Sequence, residues 1–384
     1  MNKVKRTAFT AFVIVLALLM SGCSLVQVNE EKDRNIVVAK VNGEEIKKGD
    51  VLDQYVSSYG QTEEYDEDIM KNILESMIED RLLKQKAKAA GYEVNDEALK
   101  QAQEEYEQAI NDYAKSLEEE AGKDADPNTD YKKKAREDYE NYIKLSGMTM
   151  DEYMNLIAEY VVLDKYIDEL TKDLTVSDSE IEEYYNEELE FQKEYPSLAP
   201  YYSTVTVVTE PAVRRVKHVL IKLSDEDTKE ISNLRTEGKN DEADALREEK
   251  LKTIESKARD VLKKALDGEN FDILVEKFGE DPGMKSEENK DGYKMYRDAS
   301  MMEEFLKASF AMKEGEISDL VATDYGYHII KVYEATEDKV ESLDKVREDI
   351  RNALLKSKKN EKYEELMEQW LKEADIKKYE NRLK

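Results

Sequence analysis

The chain has 384 residues, 39% of them charged, and 89 acidic against 59 basic side chains leave a net charge of −30. Such a surface repels nucleic acid and anionic headgroups, which argues against both as partners. A single cysteine excludes an intramolecular disulfide, so the fold rests on its core, and the length suffices for two or more domains.

Residues 1–22 combine a basic start (Lys3, Lys5, Arg6) with an apolar stretch from Ala8 to Met20, followed by Ser21-Gly22-Cys23. This reads as an export signal with a small-residue cleavage region, too short and one-sided for a comfortable membrane span. Leu19-Met20-Ser21-Gly22-Cys23 resembles the lipobox of bacterial lipoproteins, with Met20 where leucine is usual. The resemblance implies cleavage before Cys23 and a lipid on its thiol; an ordinary signal peptide ending near a cysteine is the alternative. Residues 23–34 read as a polar tether.

Next, Asn42-Gly43 between two short apolar runs predicts a hairpin over 36–46, because a type I′ turn needs positive φ at both central positions. From 66 to 90, Ile69, Met70, Ile73, Leu74, Met77, Ile78, Leu82 and Leu83 recur at helical spacing, with Gly91 placed to end the helix. Residues 96–145 are acidic and helix-prone, with tyrosines at 106, 113, 131, 139 and 142, and Pro127 divides them into two helices. Those tyrosines, with the methionines, read either as adaptable apolar contacts or as core or scattered surface residues. Thr149/Glu152 and Ser177/Glu180 have capping-box spacing and predict new helix starts. The first of these helices is expected to turn Tyr153, Leu156, Ile157, Tyr160, Val161 and Ile167 inward. Residues 189–211 read as an irregular connector.

After Val213 the pattern becomes strand, helix, loop, helix, strand. The only two histidines sit in matching β-branched runs, Val216-Lys217-His218-Val219-Leu220-Ile221 and Tyr327-His328-Ile329-Ile330-Lys331-Val332, both read as buried strands. Between the first of these and the helix around 258–266, residues 224–255 are almost wholly polar and read as a solvated helical arm. Beyond Glu337, Leu343, Val346, Ile350, Leu354, Leu366, Trp370 and Leu371 form one apolar stripe. A single stripe cannot make a core alone, so this helix is expected to pack back on the N-terminal helices.

Residues 213–334 resemble a parvulin-type peptidyl-prolyl cis–trans isomerase. Val216 to Lys222 is similar to the family's opening His-containing strand. Glu280-Asp281-Pro282-Gly283-Met284-Lys285 is similar to its Ser-Asp-Asp-Pro-x-x-Lys segment, and Gly315-Glu316-Ile317-Ser318 to its Gly-Glu-[IVL]-Ser turn. Thr323-Asp324-Tyr325-Gly326-Tyr327-His328-Ile329-Ile330 is similar to the closing strand. The resemblance implies catalytic roles for His218, Asp281, Thr323 and His328, and a proline pocket walled by Met301 and Phe305. Such a reaction makes and breaks no bond and needs no cofactor or metal. It must lower an amide barrier of about 18–20 kcal/mol by favouring the twisted amide. The two histidines are expected to share a hydrogen bond that orients Thr323 and Asp281, and Met301 and Phe305 to stand one helical turn apart. Alternative structural readings stand beside these: paired histidines that chiefly hold the sheet, Asp281 as a turn residue before Pro282, Met301 and Phe305 as simple core.

One departure stands out. The family's Gly-Gly-Asp-Leu-Gly turn is Lys290-Asp291-Gly292-Tyr293-Lys294 here, so Tyr293 takes a substrate-pocket leucine's position. Signal, helical region, parvulin domain and returning helix together resemble the PrsA-type foldase lipoproteins, with SurA-like chaperone helices. The expected class is thus α+β and multi-domain: a signal peptide (1–22), a lipid-anchored tether (23–34), a mainly helical chaperone domain (35–212), an inserted isomerase domain with a small antiparallel sheet flanked by helices (213–336), and a C-terminal helix (337–384) packing on the N-terminal domain. The resemblance implies an extracytoplasmic foldase, anchored to the cell membrane through Cys23, acting on unfolded or newly secreted polypeptides. A homodimer is compatible with the sequence. The altered 290–294 turn keeps open a non-catalytic holdase with a degenerate parvulin domain, and a surface adhesion or assembly role is a third reading.

Overall fold

Local sequence signals decide much of the chain's path. In this computed structural model the described residues are 30–60, 62, 65–122 and 129–384. The segment read as an export signal, Cys23, most of the stretch read as a tether and Pro127 lie outside them. Packing divides the chain into two compact units: one reaches up to Leu174 and includes Ser357–Lys384, the other is Thr175–Lys356.

In the first unit, α1 (Glu30–Arg34) leads into β1 (Val37–Val41) and β2 (Glu44–Lys47). Asn42 and Gly43 join the strands with φ of 49° and 91°, as the Asn-Gly signal requires. After α2 (Lys48–Tyr59) comes α3 (Glu67–Ala89), which starts where the Asp66 carboxylate accepts the Asp68 and Ile69 N–H groups and stops before Gly91 at φ 87°. Met70, Leu74, Ile78 and Leu82 are its buried stripe, packed with Val38, Val41 and Ile46. α4 (Asp96–Ala121), α5 (Tyr131–Leu145) and α6 (Met150–Thr171) pack around Tyr106, Ile110, Ala135, Ile143 and Tyr153. Most tyrosines of 96–145 are therefore core or lean on it: Tyr106 meets Tyr139 and Tyr153 edge to face. Tyr160 departs from expectation and is exposed, because Ala158, Val161 and Val162 set the inward face of α6.

The second unit begins with α7 (Asp178–Glu194), which runs through the first part of the stretch read as irregular. Buried Gln192 explains why: its side-chain oxygen accepts the Val207 and Val208 N–H groups while its amide donates to Val205 O. α7 also packs Ile181 on Val205, Val346 and Ile350, so residues 175–212 and 337–356 associate with the sheet unit and not with the first one. The compact boundary thus falls at 174/175, whereas 212 was expected.

After α8 (Ala199–Tyr202) and β3 (Val208–Glu210) comes the long strand β4 (Val213–Lys222). The polar insertion forms α9 (Asp225–Thr236) and α10 (Asn240–Leu266), joined through Ile231, Ala243 and Leu251. Then follow α11 (Phe271–Phe278), β5 (Tyr293–Met295), α12 (Glu303–Ala311), β6 (Val321–Thr323), β7 (Gly326–Thr336) and β8 (Lys339–Val340). The antiparallel sheet has the order β5-β4-β7-β6, and β3 pairs with β8 at the stem. One face carries Val219, Ile221 and Ile329 against α10 and α11. The other carries Val216, Ile330 and Val332 against Phe305 of α12.

The last helix, α13 (Leu343–Glu373), contributes Val346 and Ile350 to the second unit's core and Met367 and Trp370 to the first's. Beyond it β9 (Ile376–Lys378), which no sequence signal announced, adds to β1 and completes the order β2-β1-β9. The Lys48 ammonium, nearly buried, donates to Lys384 O at 2.7 Å and pairs with Asp33 at 2.9 Å.

Candidate active site

Strand register brings the two histidines together. His218 pairs with Ile330 and Leu220 with His328 across β4 and β7, so both imidazoles project from one face, a short diagonal apart. Their ring centroids lie 5.0 Å apart, edge to face. Phe305 closes the group at 5.0 Å from His218 and 5.2 Å from His328. All three are nearly excluded from solvent, and Thr323 is fully so.

The imidazoles do not share the expected hydrogen bond. Each turns its Nε2 to a different partner, and neither Nδ1 has a hydrogen-bond partner among the described residues. Nε2 of His328 lies 2.8 Å from Thr323 Oγ1, which also accepts the Tyr325 N–H at 3.2 Å. Nε2 of His218 approaches Asp281 Oδ2 to 2.9 Å without hydrogen-bond alignment, an electrostatic contact. The Thr323–Gly326 hairpin that places Thr323 depends on Gly326: at φ 140°, an added Cβ would stand 2.2 Å from Ile221 O of the neighbouring strand.

Asp281 both closes a turn and faces the histidine pair. Its Oδ1 accepts the Gly283 N–H at 2.9 Å, closing a turn, while Oδ2 faces His218 and accepts the Tyr293 hydroxyl at 2.8 Å. Burial opposes the carboxylate's charge. The contacts from His218, Gly283 and Tyr293 together outweigh it and hold the carboxyl well below the usual range. For His328, burial first and then neighbouring His218 push the imidazole down to about 3, so the ring is neutral at pH 7. Burial and the Asp281 carboxylate push the Tyr293 phenol up. The site therefore sets a fixed anion beside a neutral imidazole and an aromatic face.

Two expectations change here. Met301 is not on a helical turn with Phe305; α12 starts at Glu303, and Met301 lies in the preceding bend, 38% exposed. Met302, one residue on, packs into the Phe305 cluster instead. Met301 thus stands outside the Phe305 cluster, on the surface. Tyr293, read as a bulky substitute for a pocket leucine, reaches the site's carboxylate, and it does so past a required glycine. A Cβ on Gly283 would stand 1.9 Å from its hydroxyl.

Sequence reasoning also missed Asp324, beside Thr323 in the hairpin turn. Its carboxylate receives Arg235 at 3.0 Å and Arg247 at 3.4 Å from the α9–α10 arm, which ties the arm to the site. Arginines in a polar insertion carry no local signal for such a partner.

Comparison with known proteins gives the site its context. The profile of the PPIC-type PPIASE (rotamase) domain matches residues 218–334, and that of a SurA-like N-terminal domain matches residues 1–105. Foldase protein PrsA from Clostridium botulinum strain Hall is 29% identical over 400 residues, covering 100% of both chains. The chain is thus similar to the PrsA-type foldases along its whole length and to the parvulin-type rotamase domain over residues 218–334. A second PrsA-type relative, from Clostridium kluyveri, is 24% identical over 403 residues, again covering 100% of both chains. Among solved structures, PrsA of Bacillus cereus matches at 19% identity, covering 91% of this chain and 96% of that one, with a TM-score of 0.26. One of two SurA-like chaperones of Campylobacter jejuni matches at 18% identity, 89% and 99% coverage, and a TM-score of 0.31. No helix among the described residues is long and apolar enough to cross a membrane.

Proposed function

We propose that this PrsA-type chain is an extracytoplasmic foldase, anchored to the cell membrane by a lipid on Cys23, that catalyses cis–trans isomerisation of X–Pro bonds in newly secreted polypeptides. The observation that carries the catalytic reading is the ionised Asp281 held beside His218, whose ring meets that of Phe305 edge to face. Phe305 receives the proline ring, with Met301 at the rim. The planar amide places partial negative charge on its oxygen, and twisting withdraws it. A fixed carboxylate near that oxygen therefore disfavours the planar form relative to the twisted one. His218 steadies Asp281, while neutral His328 and Thr323 hold the floor in shape without a proton being exchanged. Uncatalysed, the same rotation takes tens to hundreds of seconds.

A protease-coupled proline-peptide assay on residues 24–384 tests this. Asp281→Ala is expected to lower kcat/KM about 100- to 1000-fold with the fold intact, the range seen when one electrostatic group is removed from a site. No wild-type rate above background rejects the enzyme. The second reading, a non-catalytic holdase, is favoured by one observation: the Tyr293 hydroxyl already occupies Asp281 Oδ2. It requires suppressed client aggregation with no isomerase rate. Cys23→Ala is expected to release the protein from membranes; retention of that variant would reject the lipid anchor.

A further inference from the structure

Between α7 and β3 the second unit displays apolar side chains that it makes no effort to hide. Tyr195, Leu198, Tyr201 and Tyr202 fall within eight residues, and Tyr201 and Tyr202, 82% and 74% exposed, are the most exposed large apolar side chains described in the unit. Clustered exposed apolar side chains on a soluble protein mark contact surfaces.

The segment is firmly fixed. Gln192 pins its far end through Val205, Val207 and Val208. In the middle, the Asp298 carboxylate accepts both the Ser197 N–H at 2.8 Å and the Ser197 hydroxyl at 3.1 Å. Ser203 N–H bonds back to Ala199 O and Tyr201 N–H to Leu198 O. Rigid tyrosines supply contact area at little entropic cost, which is how binding loops use them.

Asp298 sits in the loop that carries Tyr296 and Met301, each 38% exposed, just before Phe305. The Ser197–Asp298 bonds thus tie the tyrosine-bearing connector to the rim of the proline pocket. The surroundings are acidic: Lys307 faces three carboxylates, Glu303, Glu304 and Glu194.

We propose that the 195–202 connector is a client-binding platform continuous with the isomerase pocket. Its occupant is an extended, unfolded polypeptide segment whose tyrosine, phenylalanine or leucine side chains, with lysines or arginines between them, lie several residues from the proline seated at Phe305. The proposal rests on the client-binding reading above and assigns it a chemistry: apolar contact on the tyrosines, cationic residues against the acidic rim. It gives long clients a grip that a tetrapeptide cannot use.

The test uses residues 24–384 and a fluorescein-labelled peptide of about 20 residues, containing Tyr, Leu and Lys around one central proline, long enough to span such an extended site. In anisotropy titrations the Tyr201→Ser/Tyr202→Ser variant is expected to raise Kd about tenfold, as loss of aromatic anchors does. Its melting temperature should match wild type, and its turnover of a proline tetrapeptide should stay near wild type. Asp298→Ala should shift Kd in the same direction by less, and replacing the peptide's lysines with glutamates should weaken binding to the wild type. An unchanged Kd in the tyrosine variant overturns the platform, as does failure of the wild type to bind the peptide. An equal loss of tetrapeptide turnover also overturns it, by placing the effect in the pocket. If the wild type binds in a tyrosine-dependent way but turns over no tetrapeptide, the platform stands and the isomerase reading falls.

Discussion

The two units treat buried polar groups differently. Among the described residues nine polar or charged side chains are buried, and only Lys48 and Thr171 belong to the first unit. Both are fully engaged there, Lys48 by Asp33 and Lys384 O, Thr171 by Ile167 O. The second unit buries the other seven, and its two histidines keep ring nitrogens with no hydrogen-bond partner among the described residues. A buried polar group without full compensation costs stability. The first interior is arranged for packing, even to the point of using tyrosines as core, whereas the sheet retains a cluster that packing alone does not favour. That contrast sets the sheet face apart as the candidate site.

The hardest test of the contrast is to remove its aromatic keystone. Phe305→Ala is expected to cost the second unit about 3–5 kcal/mol in urea unfolding and to abolish proline-peptide turnover. Leu74→Ala in the first unit should cost a comparable amount, about 2–5 kcal/mol, with turnover retained. If both variants leave turnover unchanged, the sheet face is only core.

Acid should separate the units next. His328 titrates near 3 when folded, below its ordinary 6.5, so the folded state binds fewer protons in that interval. Its contribution is therefore complete above pH 6.5 and is lost as pH falls towards 3, up to a few kcal/mol. Asp281, also held low, acts in the same direction below its ordinary 3.8. The chain's one tryptophan, Trp370, lies in the first unit's core and reports on that unit alone. Loss of sheet signal is expected before the Trp370 emission shifts as pH drops from 6.5, and His328→Gln should narrow the gap. Simultaneous transitions in wild type and variant would show that the buried imidazole is not the acid-sensitive element.

The smallest effects come from the helix caps, one in each unit. Thr149→Ala and Ser177→Ala each remove a hydroxyl that accepts the N3 N–H of a capping box, at about 1 kcal/mol apiece. The first should lower the Trp370 transition and the second the sheet transition; exchanged effects would contradict the division of the chain at 174/175.

These same caps explain what was readable in the sequence. Thr149/Glu152, Ser177/Glu180 and Asn42-Gly43 act within three or four residues, so type and spacing suffice to place them. The histidine strands were also legible as buried strands from their β-branched neighbours, whereas the face they share follows from the pairing register. Features that depend on distant partners were not. Ile376-Lys377-Lys378 has no strand pattern and becomes one only by pairing with Ala39 to Val41. The Tyr293 hydroxyl finds Asp281 because Gly283 leaves room, a three-residue coincidence that no spacing rule records. Met301 left its expected helix because α12 begins two residues later, and helix ends are what spacing locates least well.

The pairing of β9 with β1 has a temporal consequence. A polypeptide made from its amino end presents β1 long before β9 arrives, and the Lys48–Lys384 bond spans 336 positions of sequence. The second unit is contiguous, Thr175 to Lys356, and every residue it needs is present once Lys356 has been synthesised. The sheet with the histidines can therefore mature first, while the first unit waits with an open strand edge until the last residues are delivered. A chain cut short after α13 would leave that edge unpaired, and this helper of folding would itself become a client.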